Sequence, residues 1–485
     1  MSAARNLSPL LRFASAALLE APPKQIALSG PAGFLGSRVL QSVLDAHEHR
    51  RDHGLEPGEV ILLSSSPGHL MSRLYSRYGS KRMSTVRATR CDYYYQHDFD
   101  SWRDQLGSLG MGGPDAVFIN LAALAGPRSD RPDAMMAVNY RAPIAAARAC
   151  EALGFGHWVQ SSTQAVKAER AGQVPYSRWK AMADYALARI DRLPATVFTL
   201  GLLYSKEQGM VSQRGDNINM VDLALLPITP IMGNGRAPLQ PLEVEDAASR
   251  IAYVSLTEPT RRPVQVSESS GYDWARPKID SVRQYTWRAY DAVGPETMTM
   301  LELMEMFAKL NGRTLNPVFV DYRNFETVLN EASLGNLNRQ FVSLLRSEQD
   351  AERPIVGVPD TFQALLGPEA TLFRMHDGLA ATDKFGNPIS VKRRSFPVVA
   401  TVKWVWQNYK VIIPGTNLVL ETVGTYLFGK RFAIDENWRW IRIGAMTTLL
   451  SGLAVGGAQA GAEFSKWYAE VAGGGGFPPL PGVGF

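Results

Sequence analysis

Gly30, Gly33 and Gly36 are the first residues of this chain whose type and spacing could do chemistry. They stand in GPAGFLG, directly after the apolar run KQIALS (24–29) and before SRVLQSVLDAHEHR, whose apolar residues recur at helical spacing. Between a strand and a helix, each glycine has its own task. The first permits a tight turn, the second lets backbone approach a pyrophosphate, and the third lets helix and strand pack closely. Free N–H groups at the helix start, over Phe34, Leu35 and Gly36, then face phosphate oxygens. This context predicts a dinucleotide site.

The other end of that site is read from charge. NAD binders close their second strand with an acid that holds the ribose 2′-hydroxyl, whereas this strand, EVILLSS (59–65), runs into Ser64, Ser65 and Ser66. Arg38, Arg73 and Arg77 lie nearby in sequence. Missing negative charge with guanidinium at hand predicts NADP(H) rather than NAD(H). The same arginines would otherwise be solvated charges on helix faces. Asp98, in QHDFD, is placed to reach the adenine amino group.

These residues need a scaffold, and the chain supplies its rhythm. DAVFINLAA (115–123) is a fully apolar strand, and Leu121, Ala122 and Ala123 at its end join the expected cofactor contacts. A helix at 142–154, a strand at 157–162, a helix at 177–190 and a strand at 195–204 follow, with Gly201 inside the last segment as a further cofactor contact. Strands alternating with helices predict the α/β class, a doubly wound parallel Rossmann sheet with a small C-terminal lobe. The rhythm fails beyond residue 320. The expected divisions are a targeting-like segment (1–22), the nucleotide-binding domain (23–320), an extension for partner or membrane contacts (321–440), a transmembrane helix (441–465) and a Gly/Pro-rich tail (466–485).

At GPAGFLG, VFINLAA and YSRWK (176–180) the chain resembles the extended and atypical short-chain dehydrogenase/reductase family, over roughly residues 24–320. QPLEVEDAASRIAYV (240–254) and YDAVGPETMTMLELMEMF (290–307) resemble later segments of the same family. In its active members a tyrosine is the general acid/base, a lysine lowers the tyrosine pKa and binds the ribose, and a Ser or Thr orients the substrate. Tyr176 and Lys180 match by position, and i, i+4 spacing puts both on one helix face. Ser161, Ser162 and Thr163 precede Tyr176 by only 13 to 15 residues, too few for the family's usual substrate loop. Thr199-Leu200-Gly201 replaces the common Arg-Pro-Gly. The resemblance therefore implies retained cofactor binding, with Tyr176, Lys180 and Ser162 as vestigial catalytic residues. Within the family, the short gap, the INL strand and the GFLG turn resemble one atypical branch. That branch is the nucleotide-binding accessory subunit of mitochondrial respiratory complex I, which holds NADPH without turnover.

Compartment and partners are read from composition. The chain is 45% apolar and 20% charged, with net charge +5, which fits a globular protein and gives nucleic-acid binding no support. Cys91 and Cys150 have neither disulfide-framework nor zinc spacing, so no metal is expected. Residues 1–19 carry Arg5 and Arg12, several Ser and Ala and no acid, the composition of a mitochondrial targeting helix. Residues 443–464 hold no charge before Glu463 and are flanked by Trp438, Arg439, Trp440 and Arg442 on one side and Lys466, Trp467 and Tyr468 on the other. That length and those borders predict a bilayer span, with basic residues placing the main domain on the matrix side. The expectation is a structural NADP(H)-binding accessory subunit of a mitochondrial inner-membrane respiratory complex, complex I first. Two alternatives stand beside it: a membrane-attached reductase or epimerase using Tyr176 and Lys180, and an accessory subunit of another respiratory complex.

Overall fold

In the computed structural model the described residues are 8–20, 23–124, 132–167, 174–205, 224, 229–257, 287–310, 314–320 and 356–375. The chain divides into two compact units, and every described residue belongs to the first, 1–322 with 336–393. The predicted bilayer span at 443–464 and the Gly/Pro-rich tail lie outside the described residues. Among the described residues, no helix is long and apolar enough to cross a membrane.

Seven parallel strands form the central sheet: β1 (Gln25–Ser29), β2 (Glu59–Ser64), β3 (Val86–Arg90), β4 (Ala116–Asn120), β5 (His157–Thr163), β6 (Ala195–Leu200) and β7 (Trp287–Ala292). Their order is β7-β6-β5-β4-β1-β2-β3. β1 is flanked by β2 and β4, with Ile26 beside both Val60 and Val117. Strands covered on both faces read as continuous apolar runs, and β1, β2 and β4 do. Alternate residues feed two cores. Ile26, Leu28, Val60 and Leu62 enter one, while Ala27, Ile61, Phe118 and Trp158 enter the other.

Helices pack over the two faces of the sheet, and one, Met300–Leu310, lies apart from it. They are α1 (Pro9–Ala14), α2 (Phe34–Asp52), α3 (Pro67–Arg82), α4 (Phe99–Ser108), α5 (Pro132–Met136), α6 (Ala142–Ala152), α7 (Pro175–Leu187), α8 (Val244–Leu256), α9 (Met300–Leu310) and α10 (Thr361–Leu366). One π-helical turn, Ala137–Arg141, joins α5 to α6. The chain leaves β1 in one direction to build β2 and β3, then returns to β1's other side for β4. The crevice at the carboxyl ends of β1 and β4 is thus the topological switch point.

Short strand pairs and a separate apolar cluster lie beside the central sheet. Residues 229–232 pair with 317–320, residues 238–239 pair with 298–299, and α9 supplies Leu303, Met304 and Phe307 to a separate apolar cluster.

Two segments are placed differently from the sequence divisions. Within the targeting-like segment, residues 8–20 are part of the domain. Ser8 caps α1, and Leu10 and Leu18 are buried in the core that α2 and α8 share. The Arg50 guanidinium donates to the Leu18 and Glu20 carbonyl oxygens, both at 2.9 Å. Residues 356–375, assigned by sequence to the extension, also return to this unit: Phe362, Leu365 and Leu366 join the same core. Short apolar segments carry too little periodicity to announce such docking, and only the partner surface decides it.

Candidate functional site

The glycine turn has the geometry its spacing predicts. Gly30 has φ +68°, a left-handed backbone that favours glycine. A Cβ there would come within 2.9 Å of the Leu121 carbonyl group, so β1's exit and β4's exit touch backbone to backbone. A Cβ on Gly36 would lie 2.0 Å from the Gly30 oxygen. Gly33 is the N-cap of α2, and no side chain caps that helix. The first-turn amides over Phe34, Leu35 and Gly36 therefore have no side-chain acceptor, which fits a bound anion. Arg50 and Arg51 lie in its last turn, at the opposite end, as the helix dipole favours.

A buried polar chain holds the two loops bordering the crevice. The Ser29 hydroxyl accepts the Leu121 and Ala122 N–H groups at 3.0 and 3.2 Å and donates to Asn120 Oδ1 at 2.9 Å. Tyr93 donates to the same oxygen, and Asn120 Nδ2 donates to Gln160 Oε1 at 3.2 Å. Gln160 Nε2 then donates to Asp184 Oδ1 at 2.6 Å, and the Ser162 hydroxyl donates to the other oxygen of that carboxylate. Asn139 fixes the loop's far end by bonding both the N–H and the carbonyl of Leu124. Leu121 is buried, while Ala123 is exposed at the rim. Ser29, Asn120, Gln160, Asn139 and Asp184 escaped the sequence reading. Asp184 had a signal, since it continues the Tyr176–Lys180 face by one more helical turn.

Tyr176 and Lys180 lie on α7 beside β5. Lys180 is buried, and its ammonium donates to the Ser161 carbonyl oxygen at 3.0 Å. Burial pulls its pKa down to about 8, against the opposing pull of Asp184. Half-buried Tyr176 moves the other way: burial and the Asp184 charge push its phenol up to about 12. Ser162 faces Asp184 rather than the crevice. Thr163 ends β5, and its hydroxyl accepts the Ala165 N–H.

The remaining predicted residues divide. Ser64 and Ser65 stand at the carboxyl end of β2, where Ser64 Oγ accepts the Ser66 N–H at 3.2 Å. Arg38 lies 3.8 Å from the Glu245 carboxylate on α8, a partner the sequence did not reveal. Arg73 and Arg77 are exposed on α3, which opens directly after these serines. Asp98 is the N-cap of α4: its carboxylate accepts the Ser101 N–H and hydroxyl at 2.8 and 2.6 Å. Gly201, after β6, lies against the main chain of Gln240, whose oxygen a Cβ would meet at 2.5 Å. Cys91 and Cys150 are buried free thiols, and no metal-ligating cluster occurs among the described residues.

No family model matches the chain, and no curated protein is similar to it. Among solved structures, an epimerase from the methanogen Methanothermobacter thermautotrophicus is 14% identical, with a TM-score of 0.48 over 83% of this chain and 98% of its own. The UDP-glucuronic acid 4-epimerase from Bacillus cereus, solved with UDP-glucuronic acid and NAD, is 16% identical, with a TM-score of 0.42 over 70% of this chain and 98% of its own. The dTDP-glucose 4,6-dehydratase from Streptomyces venezuelae, solved with NAD and TYD, is 16% identical, with a TM-score of 0.44 over 67% of this chain and 97% of its own. At these values the ligands of those proteins say nothing about this one. Sheet order, the switch point between β1 and β4, and the three-glycine turn set there make this unit a Rossmann-like α/β domain.

Proposed function

We propose that this chain binds a nicotinamide dinucleotide across the switch point, and that Tyr176 and Lys180 line its nicotinamide half in the manner of a reductase or epimerase. The observation that carries the reading is the uncapped start of α2, set against the Gly30–Leu121 backbone contact at the carboxyl ends of β1 and β4. The amides of α2 would hold the pyrophosphate, and Lys180, on the Ser161 carbonyl, would meet the ribose. The bound nicotinamide supplies or accepts a hydride. Tyr176 would deliver or remove the accompanying proton at the substrate oxygen. Because β2 ends without a carboxylate, the cofactor is NADP(H) before NAD(H). Acid extraction of the native protein and mass spectrometry test this, and NAD alone at full occupancy overturns the preference.

A second reading is occupancy without turnover, in an accessory subunit of a mitochondrial inner-membrane assembly, complex I before the others. Two observations favour it. The phenol of Tyr176 is pushed up by burial and Asp184, away from the range of a working base, and Ser162 is turned from the crevice. Substituting Tyr176→Phe separates the two. Loss of an NADPH-dependent reaction that the isolated wild-type protein performs supports the enzyme. Unchanged respiratory-complex assembly and respiration, with no such reaction in the wild type, supports the subunit.

A further inference from the structure

Asp291, near the end of β7, is a buried, multiply bonded carboxylate that the cofactor reading leaves unused. Its Oδ1 accepts Lys167 Nζ at 2.6 Å, Thr199 Oγ1 at 2.7 Å and Gln164 Nε2 at 3.0 Å. Its Oδ2 accepts the Val358 N–H at 3.1 Å. The Lys167–Asp291 pair is buried, with side-chain exposures of 8% and 4%. A buried ion pair survives only when its remaining hydrogen-bonding sites are satisfied, and here three further donors do so. With Lys167, those donors come from three places, the turn after β5, β6 and the returning segment 356–358, and all meet on the β7 carboxylate.

Gln240 grips the same segment from the other side. Its side-chain amide donates to the Gly357 carbonyl oxygen at 3.2 Å and accepts the Gly357 N–H. Gln240's own main chain lies against Gly201 at the end of β6. Gly357 fits so closely that a Cβ would meet Val293 Cγ1 at 2.8 Å and the Asp291 carboxylate at 3.0 Å. Residues 356–358 therefore sit directly on the carboxyl ends of β6 and β7. Gln164 and Lys167, bonded to the same carboxylate, lie in sequence between β5 and Tyr176.

We infer that Val356-Gly357-Val358 is a fixed wall of the substrate end of the crevice, latched by Asp291 and Gln240. It would limit the substrate to a compact carbonyl compound and exclude one of nucleotide-sugar size. The inference rests on the nicotinamide half lying beside Tyr176.

The test uses the full-length, NADPH-loaded protein with amide hydrogen exchange across residues 356–360 and calorimetric titration with UDP-glucose. The Gly357 and Val358 amides should exchange at least about 100-fold slower than free peptide, and UDP-glucose should give no binding up to about 1 mM. Gln240→Ala should speed that exchange about tenfold or more, with NADPH affinity unchanged. Gly357→Ala is a second route to the same release and should give the same result. Unprotected 357–358 amides in the wild type overturn the wall, as does exchange unaffected by both variants. Submillimolar UDP-glucose binding with the segment still protected overturns the size limit. A wild-type protein that binds no NADPH yet keeps 356–360 protected refutes the cofactor reading and leaves the latch standing.

Discussion

A methyl group added at Gly36 would lie 2.0 Å from the Gly30 carbonyl oxygen, so the turn must open to admit it. Gly36→Ala is therefore expected to weaken NADPH binding by about 100-fold, roughly 3 kcal/mol, read by fluorescence titration. Gly68→Ala is the matched control, since its Cβ would meet nothing within 4 Å. Asp291 predicts a larger structural effect. Burial alone would raise its carboxyl, but Lys167, Gln164 and Thr199 outweigh burial and hold it below the ordinary value. Asp291→Ala strands a buried lysine and should cost about 3–5 kcal/mol in urea unfolding, more than Asp291→Asn. The sign with pH follows from the depressed carboxyl: its contribution is present above the unfolded value and is lost as pH falls through the folded one.

Helices α1 and α10 belong to the domain as elements, not as flanking chain. Leu10 and Leu18 are buried, each stabilising by about 2 kcal/mol through removal from water. Phe13 and Phe362 meet edge to face at 6.2 Å, and the Arg250 guanidinium lies 5.0 Å above the Phe362 ring. Removing residues 1–20 should lower the melting temperature by several degrees or abolish soluble expression. Mass spectrometry of the native protein should find its N-terminus before Ser8, even if this segment also directs the chain to mitochondria. A mature N-terminus beyond Leu18 with unaltered stability would contradict the packing. Phe362→Ala should cost about 3–5 kcal/mol, the usual range for truncating a buried aromatic.

At the scale of the molecule, two buried histidines among the described residues set an acid limit. His47 has its pKa lowered to about 4 by burial, then by Arg51 and Arg50. Burial likewise lowers His157 to about 4, against a hydrogen bond with the Val254 backbone. Both are neutral in the folded state, whereas the unfolded chain protonates them below about pH 6.5. Stability should therefore be complete above about pH 6.5 and fall as pH drops toward 4, by roughly 3 kcal/mol for each histidine. Denaturant unfolding at several pH values checks the slope, and His47→Leu should flatten it by about half. Residues 443–464 bear on where the molecule resides. We propose that they anchor it in a bilayer, so alkaline carbonate washing should leave the full-length protein in the pellet and release a chain truncated after Phe428. Full-length protein in the supernatant would end that proposal.

What the sequence by itself determined are the features whose physics is local. A glycine turn between strand and helix, apolar runs of strand length, and a Tyr–Lys pair on one helix face are each complete within a few residues. The parallel sheet and the local settings of Gly30, Gly33, Gly36, Tyr176 and Lys180 were legible for that reason, whereas the switch point came only with the strand order. Tertiary structure alone decided what the polar side chains face. Arg38 meets Glu245 on α8 and Ser162 turns to Asp184, although local sequence had suggested cofactor and substrate; Asp98 differs, because its cap on Ser101 is a local signal only three residues long. It also decided that 8–20 and 356–375 close one core, and that Asp291 joins three strand ends to Val358. Such contacts form between residues tens to hundreds of positions apart, and a buried charge or hydroxyl takes whichever partner the fold brings within hydrogen-bonding distance.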